Sequence, residues 1–160
     1  MALQIGDQIP EITLLQKTEE GVEKVNIAKN SGKNLLLLFI PAAGTGVCTE
    51  EMCLVSKDWN AYNDLNAVVY GVSVDSPFAQ EVWAKANNIT LPLLSDFNKE
   101  AINAFDAKYD IWLPGTFDMH GVAKRSAFVF NSNGKLVHSE VLENAGEMPN
   151  LNKVKEALQS

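Results

Sequence analysis

From Asn34 to Ile40 the chain runs through Leu35-Leu36-Leu37-Leu38-Phe39-Ile40 with no polar side chain to break it, and then meets Pro41. Side chains of a strand point alternately to two faces, so a run apolar throughout needs cover on both. A strand in the middle of a sheet, with helices above and below, meets that need. The run is also far shorter than the roughly 20 residues that span a bilayer.

The rest of the sequence is consistent with such a sheet. Upstream, Glu11 to Leu15 and Val22 to Val25 flank Thr18-Glu19-Glu20-Gly21, the pattern of a peripheral hairpin closed at a glycine. After Pro41, the residues Cys48, Met52, Val55, Trp59 and Tyr62 recur at helical spacing and form one apolar stripe facing the sheet. Ala67 to Val74 reads as a second buried strand, and Asp75-Ser76-Pro77 supplies a cap and first-turn proline for a helix to about Asn87. Pro92 to Ser95 reads as a short strand, followed by a helix from Lys99 to about Asp106 capped by Asp96 or Asn98. Ser126 to Phe130 and Lys135 to Ser139 flank Asn131-Ser132-Asn133-Gly134, an antiparallel hairpin signal, and Leu151 to Leu158 closes as a helix. The order predicts an α/β fold: a central mixed sheet with helices on both faces and an N-terminal β-hairpin, thioredoxin-like in arrangement.

With no internal repeat or linker, the 160 residues read as one domain, long enough to bury a core unaided. Twenty acidic against 13 basic residues, the bases scattered, argue against a nucleic-acid partner. Met1 to Gln4 leads straight to Gly6-Asp7-Gln8 without a basic and then apolar leader, so the expected location is the cytoplasm. Two cysteines are too few for a disulfide-stapled scaffold, and a reducing cytosol keeps both as thiols. His120 and His138 with Cys48 and Cys53 do not match the spacing of zinc ligands, so no metal is expected.

The chemistry concentrates in Pro41-Ala42-Ala43-Gly44-Thr45-Gly46-Val47-Cys48-Thr49-Glu50-Glu51-Met52-Cys53, between the central strand and its helix. Open α/β sheets place their sites at this end of their strands. Gly44 and Gly46 allow a tight turn with accessible amides. Cys48 falls in the first turn of the helix, where unpaired N–H groups and the macrodipole favour an anion, and the thiolate is the nucleophilic form of cysteine. Thr45, three residues upstream, offers a hydroxyl that can both accept a hydrogen bond from and donate one to a ligand at the sulfur.

Pro41-x-x-x-Thr45-x-x-Cys48 matches the Pro-x-x-x-Thr-x-x-Cys signature of the peroxiredoxins, and Arg125, just before Ser126-Ala127-Phe128-Val129, resembles that family's active-site arginine. The resemblance covers about Gly6 to Asn150. It implies a thiol peroxidase in which Cys48 attacks hydrogen peroxide or an organic hydroperoxide, Thr45 and the Cys48 amide hold the peroxide, and Pro41 shields the site. Arg125 would stabilise thiolate and transition state, with Glu51 orienting it. By itself, however, Glu51 reads as a solvated first-turn acid that favours the helix dipole. The resemblance further implies no cofactor, a thiol reductant (thioredoxin, a glutaredoxin or a low-molecular-weight thiol) and a homodimer. One departure is Gly44, where family members often carry a bulky residue, commonly phenylalanine; a more open pocket is the expected consequence.

A sulfenic acid on Cys48 needs a second thiol to condense with it, and Cys53 is the only candidate within the chain. The Cys48 to Cys53 spacing resembles Q-type, or bacterioferritin-comigratory, peroxiredoxins, whereas Ser73 to Phe78 and Leu94 to Asn98 resemble one-cysteine, AhpE-like members. Five residues of helix separate α-carbons by roughly 8–9 Å, beyond the ~7 Å reach of a disulfide, so a bond between the two cysteines requires the helix to unwind. Two readings of Cys53 stay open: resolving thiol, or small hydrophobe off the apolar stripe beside Lys57 and Asn60. Trp112, in the stretch Ile111 to Gly115, reads as an exposed loop residue at a dimer interface or over the active site. Two other functions remain to be weighed: a general thiol–disulfide oxidoreductase, for which the Cys-x-x-Cys pair is missing, and a non-catalytic thioredoxin-like binding module.

Overall fold

A strand apolar on both faces requires two layers of cover, and the computed structural model supplies them; it describes residues 2–29 and 32–159. Met1, the first residue of the stretch read for a leader, lies outside the described residues. The strands are β1 (Thr13–Thr18), β2 (Gly21–Asn26), β3 (Asn34–Phe39), β4 (Ala67–Ser73), β5 (Leu93–Ser95), β6 (Ile111–Trp112), β7 (Met119–His120), β8 (Ser126–Phe130) and β9 (Leu136–Val141). The helices are α1 (Gly46–Lys57), α2 (Trp59–Asp64), α3 (Pro77–Asn87), α4 (Glu100–Ala104) and α5 (Leu151–Leu158).

Seven strands form one mixed sheet in the order β2-β1-β5-β4-β3-β8-β9, while β6 and β7 pair separately. β3 is parallel to β4 and antiparallel to β8. Alternation along β3 divides its residues between two cores. Leu35, Leu37 and Phe39 pack with Ile102 and Phe105 around α4, whereas Leu36, Leu38 and Ile40 pack with Met52, Tyr62, Trp83 and Leu158 from the other helices. On the first face Phe39 meets Phe105 and Phe128 edge-on, with ring centroids 5.3 and 5.6 Å away. Each such buried side chain contributes roughly 1.5–3 kcal/mol, so this strand anchors both layers.

Both hairpins form. In the first, Thr18 pairs with Gly21, whose φ of 131° suits glycine, and β1 attaches to β5 through Leu15 and Ser95, leaving β2 at the sheet edge. In the second, Asn131 Oδ1 accepts from the amides of Asn133 and Lys135, and Gly134 takes φ 77°. Ser76 caps α3 by accepting from the Ala79 amide, with Pro77 in the first turn. The helix after β5 is shorter than its pattern suggests, because Lys99 adopts φ 63° and delays its start. Asp96 still caps it, accepting from the amides of Ala101 and Ile102.

Three expectations are corrected. The apolar stripe from Cys48 to Tyr62 spans two helices, since Asp58 leaves helical geometry (φ −97°, ψ 19°), and Trp59 is only partly buried. The stretch holding Trp112 pairs with Met119 and His120 as a short ribbon that closes Trp112 to 7% exposure, against Ala42, Val122 and the Phe117 ring. A two-residue strand carries too little periodicity to be read. Third, Glu51 is not a solvated acid but fully buried. Among the described residues, no helix is long and apolar enough to cross a membrane.

Candidate active site

β3 hands the chain directly to the site. The Ile40 amide still donates to Val72 of β4 at 2.9 Å, and Pro41, buried, ends the pairing. Gly44 turns the backbone with φ 91°. An added Cβ at Gly44 or Gly46 would meet nothing within 4 Å, so the chain is open on that side of the helix start. Thr45 occupies the N-cap of α1, but its hydroxyl donates to the Ala42 carbonyl at 2.9 Å instead of capping the helix. Cys48 lies in the first turn, where amide N–H groups lack helical acceptors.

The Cys48 side chain is fully buried, yet it is not sealed in hydrocarbon. Arg125 Nη2 donates to Cys48 Sγ at 3.1 Å across 77 residues of sequence. The sheet brings them together: β8 pairs antiparallel with β3, Ser126 opposite Phe39, which sets Arg125 beside the end of β3 where the thiol loop departs. Arg125 is itself 1% exposed and held from two sides. Its Nε and Nη2 donate to the Ala145 carbonyl at 3.2 and 3.0 Å, and Nη1 lies 3.4 Å from Glu51 Oε2. A guanidinium has donors in a fixed plane, so these partners determine where the edge facing sulfur points.

Glu51 follows Cys48 by three positions on the same helix and shares its buried face. Burial raises its pKa from the ordinary 4.5 to about 7; the charge and hydrogen bond of Arg125 oppose this, and the charge of Glu140 adds to it. Its second oxygen, Oε1, is buried and has no hydrogen-bond partner among the described residues.

Of the residues singled out from the sequence, Cys48, Glu51 and Arg125 therefore meet in direct contact, while Pro41 and Thr45 lie on the loop that leads into Cys48. Cys53 lies on the side of α1 that faces α3, half-buried against the same apolar cluster, with its thiol donating to the Asn87 carbonyl at 3.5 Å. Two contributors escaped sequence reasoning. Ala145 acts through a carbonyl, for which no side chain gives a signal. Asp75, read as part of a helix cap, turns instead to the thiol loop: its Oδ2 accepts from the Ala43 amide at 2.8 Å and from Ser73 Oγ at 2.7 Å. Gln80 completes that network by donating to Ser73 Oγ at 2.9 Å. A groove of about 530 Å³ between β1 and α3, bordered by Lys17, Glu81 and Leu91, reaches Gln80 but includes none of Thr45, Cys48, Glu51 and Arg125.

A cysteine opening a helix after a central strand, beside a buried arginine, defines the class: a thiol-based redox protein on a thioredoxin-like fold. Residues 5–139 match the AhpC/TSA family. A thiol peroxidase of Bacillus subtilis (strain 168) is 32% identical over 156 residues, 97% of this chain and 86% of that protein. A mitochondrial thioredoxin-dependent peroxide reductase of Drosophila melanogaster is 30% identical over 142 residues, 84% of this chain but 57% of that protein. The structure of reduced 2-Cys peroxiredoxin from Plasmodium vivax superposes with a TM-score of 0.84 at 25% identity, covering 98% of this chain and 80% of that one. The chain belongs to the AhpC/TSA family of peroxiredoxins, and it is an oxidoreductase of the thiol peroxidase kind.

Proposed function

We propose that Cys48 is the peroxidatic nucleophile and that the whole chain works as one domain around it. The observation that carries this reading is the 3.1 Å bond from the Arg125 guanidinium to the Cys48 sulfur. A permanent cation beside the sulfur pairs with the attacking thiolate and then meets the negative charge that builds on the departing oxygen. The thiolate attacks one peroxide oxygen, the O–O bond breaks, and the other oxygen leaves as an alcohol or water after taking a proton. Cys48 is left as a sulfenic acid. Thr45, whose hydroxyl hydrogen is engaged by Ala42, keeps oxygen lone pairs for the peroxide O–H, and the Cys48 amide is the donor to the other oxygen. Pro41 shields the sulfur, and Glu51 with Ala145 keeps the arginine fork aimed.

Cys53 is the resolving thiol in this reading. Its sulfur displaces the sulfenic oxygen as water and forms a disulfide, which two thiols of an external reductant return to the dithiol. The name of the Drosophila relative supports thioredoxin as that reductant; glutaredoxin and small thiols are the alternatives. Hydrogen peroxide and organic hydroperoxides are the substrates, and a cytoplasmic homodimer is the expected form.

Stopped-flow mixing of the reduced protein with excess hydrogen peroxide, with Cys48→Ser as control, tests the assignment. A rate no faster than that of free cysteine refutes it. After one equivalent of peroxide, mass spectrometry should show the loss of two hydrogens; an added oxygen beside a free Cys53 thiol overturns the resolving role.

A further inference from the structure

Just ahead of β8 two adjacent bases reach the same segment, residues 142–150 between β9 and α5. Arg125 donates through Nε and Nη2 to the Ala145 carbonyl, and Lys124 Nζ donates to Glu143 Oε1 at 2.6 Å. The carbonyl that orients Arg125 therefore belongs to a stretch that is neither helix nor strand. Its backbone leaves β9 at Leu142, whose amide donates to the Arg125 carbonyl at 2.9 Å, and turns where the Glu147 amide meets the Asn144 carbonyl. Glu143, Asn144, Gly146 and Glu147 are exposed, so burial does little to hold this turn in place. Whatever does hold it decides where the guanidinium plane lies.

Tyr109 makes such an attachment. Its hydroxyl donates to the Glu143 carbonyl at 2.7 Å, two residues before Ala145. The tyrosine is itself anchored by backbone bonds, its amide to the Val122 carbonyl at 2.9 Å and its carbonyl from the Gly121 amide at 3.1 Å. Its ring stacks on Trp112 with centroids 6.4 Å apart, and the Lys124 ammonium lies 5.8 Å from the ring centre. Burial pushes the phenol pKa up, the charge of Glu143 adds to this and that of Arg125 opposes it, so the hydroxyl keeps the proton it donates.

Tyr109, Trp112 and Val122 share the smallest apolar cluster with Ala42, Val74 and Ala145. Two of these alanines carry the carbonyls on which the site is hung: Ala42 accepts from the Thr45 hydroxyl, and Ala145 from Arg125. One small core thus touches both arms of the site, the hydroxyl and the guanidinium.

We propose that Tyr109 is a positioning residue for the peroxide step: through the Glu143 carbonyl it fixes the turn whose Ala145 carbonyl aims Arg125 at Cys48 Sγ, with Lys124 holding the same turn by its side chain. Tyr109 touches no reacting atom and acts only through Arg125. Its effect on rate rests on the reading of Cys48 as peroxidatic nucleophile, whereas its hold on the arginine does not.

Tyr109→Phe keeps the ring, its stack on Trp112 and its place under Lys124, and removes the donor alone. Loss of one neutral hydrogen bond should lower the second-order rate with hydrogen peroxide in stopped flow by about fivefold. In an Arg125→Met background the same substitution should change the rate by less than about twofold, because the group it positions is gone. A general structural role would lower both backgrounds alike. An unchanged rate in Tyr109→Phe, or an equal fall in the two backgrounds, overturns the proposal.

Exchange of the Arg125 Nε–H with water, followed by NMR in the reduced protein without peroxide, reads the aim of the arginine directly. About fivefold faster exchange in Tyr109→Phe supports the strut even if the Cys48→Ser control shows that another group reduces peroxide, which would defeat only the reading of Cys48. Unchanged exchange defeats the strut and leaves Cys48 as the nucleophile.

Discussion

Replacing Glu51 by glutamine should change the pH dependence of stability in one direction only. The carboxyl is fully buried, and burial holds its pKa at about 7 against an ordinary 4.5, despite the opposing charge and hydrogen bond of Arg125. Below about pH 4.5 the group is neutral both folded and unfolded. Between 4.5 and 7 the folded chain keeps a proton that the unfolded chain has released, so raising the pH favours unfolding. Stability is thus fully present at the acid end and is lost as pH rises through the folded value. At about 1.4 kcal/mol per pH unit, the loss approaches roughly 3 kcal/mol by pH 8, a sizeable part of the 5–15 kcal/mol that a domain has. Glutamine has nearly the same shape and does not titrate. Urea unfolding of both proteins at steps from pH 4.5 to 8 gives the difference in free energy, from which groups common to both largely cancel. The variant should gain on the wild type by about 3 kcal/mol across the range. A flat difference, or one in which the variant loses ground as pH rises, would mean that the arginine outweighs desolvation and that the reasoning is wrong.

Arg125→Lys keeps a charge but cannot reach Cys48, Glu51 and Ala145 from one rigid plane. The peroxide step should slow by about 10²-fold in stopped flow, and a rate within threefold of wild type would refute the fork argument. Asp75→Ala leaves the Ala43 amide and the Ser73 hydroxyl without their acceptor. The expected cost is about 1–3 kcal/mol, or a melting temperature lower by roughly 5 °C, read by circular dichroism. Phe39→Ala empties the space between Phe105 and Phe128 and should destabilise by about 3–5 kcal/mol in urea unfolding; a change under 1 kcal/mol would contradict the central place given to β3.

Much of this protein is written in short stretches of chain. The apolar run at β3, the turns of both hairpins and the Ser76-Pro77 helix start are local, because backbone geometry and side-chain direction depend on neighbours a few residues away. Cys48 at the opening of a helix is local as well, and with Pro41 and Thr45 it carried the family resemblance. Glu51 was half legible. Its place three residues after Cys48 put it on the apolar stripe, but an acid is by default solvated, and nothing nearby in the chain announced the arginine that meets it 74 residues later. Asp75 beside the thiol loop, the Ala145 carbonyl under Arg125, the burial of Trp112 and the contact of Cys53 with α3 arise only when distant segments pack. Whether a polar group is hidden, and which partner then satisfies it, depends on what lies across the sheet, and pairing over such distances leaves no periodic trace in the order of residues.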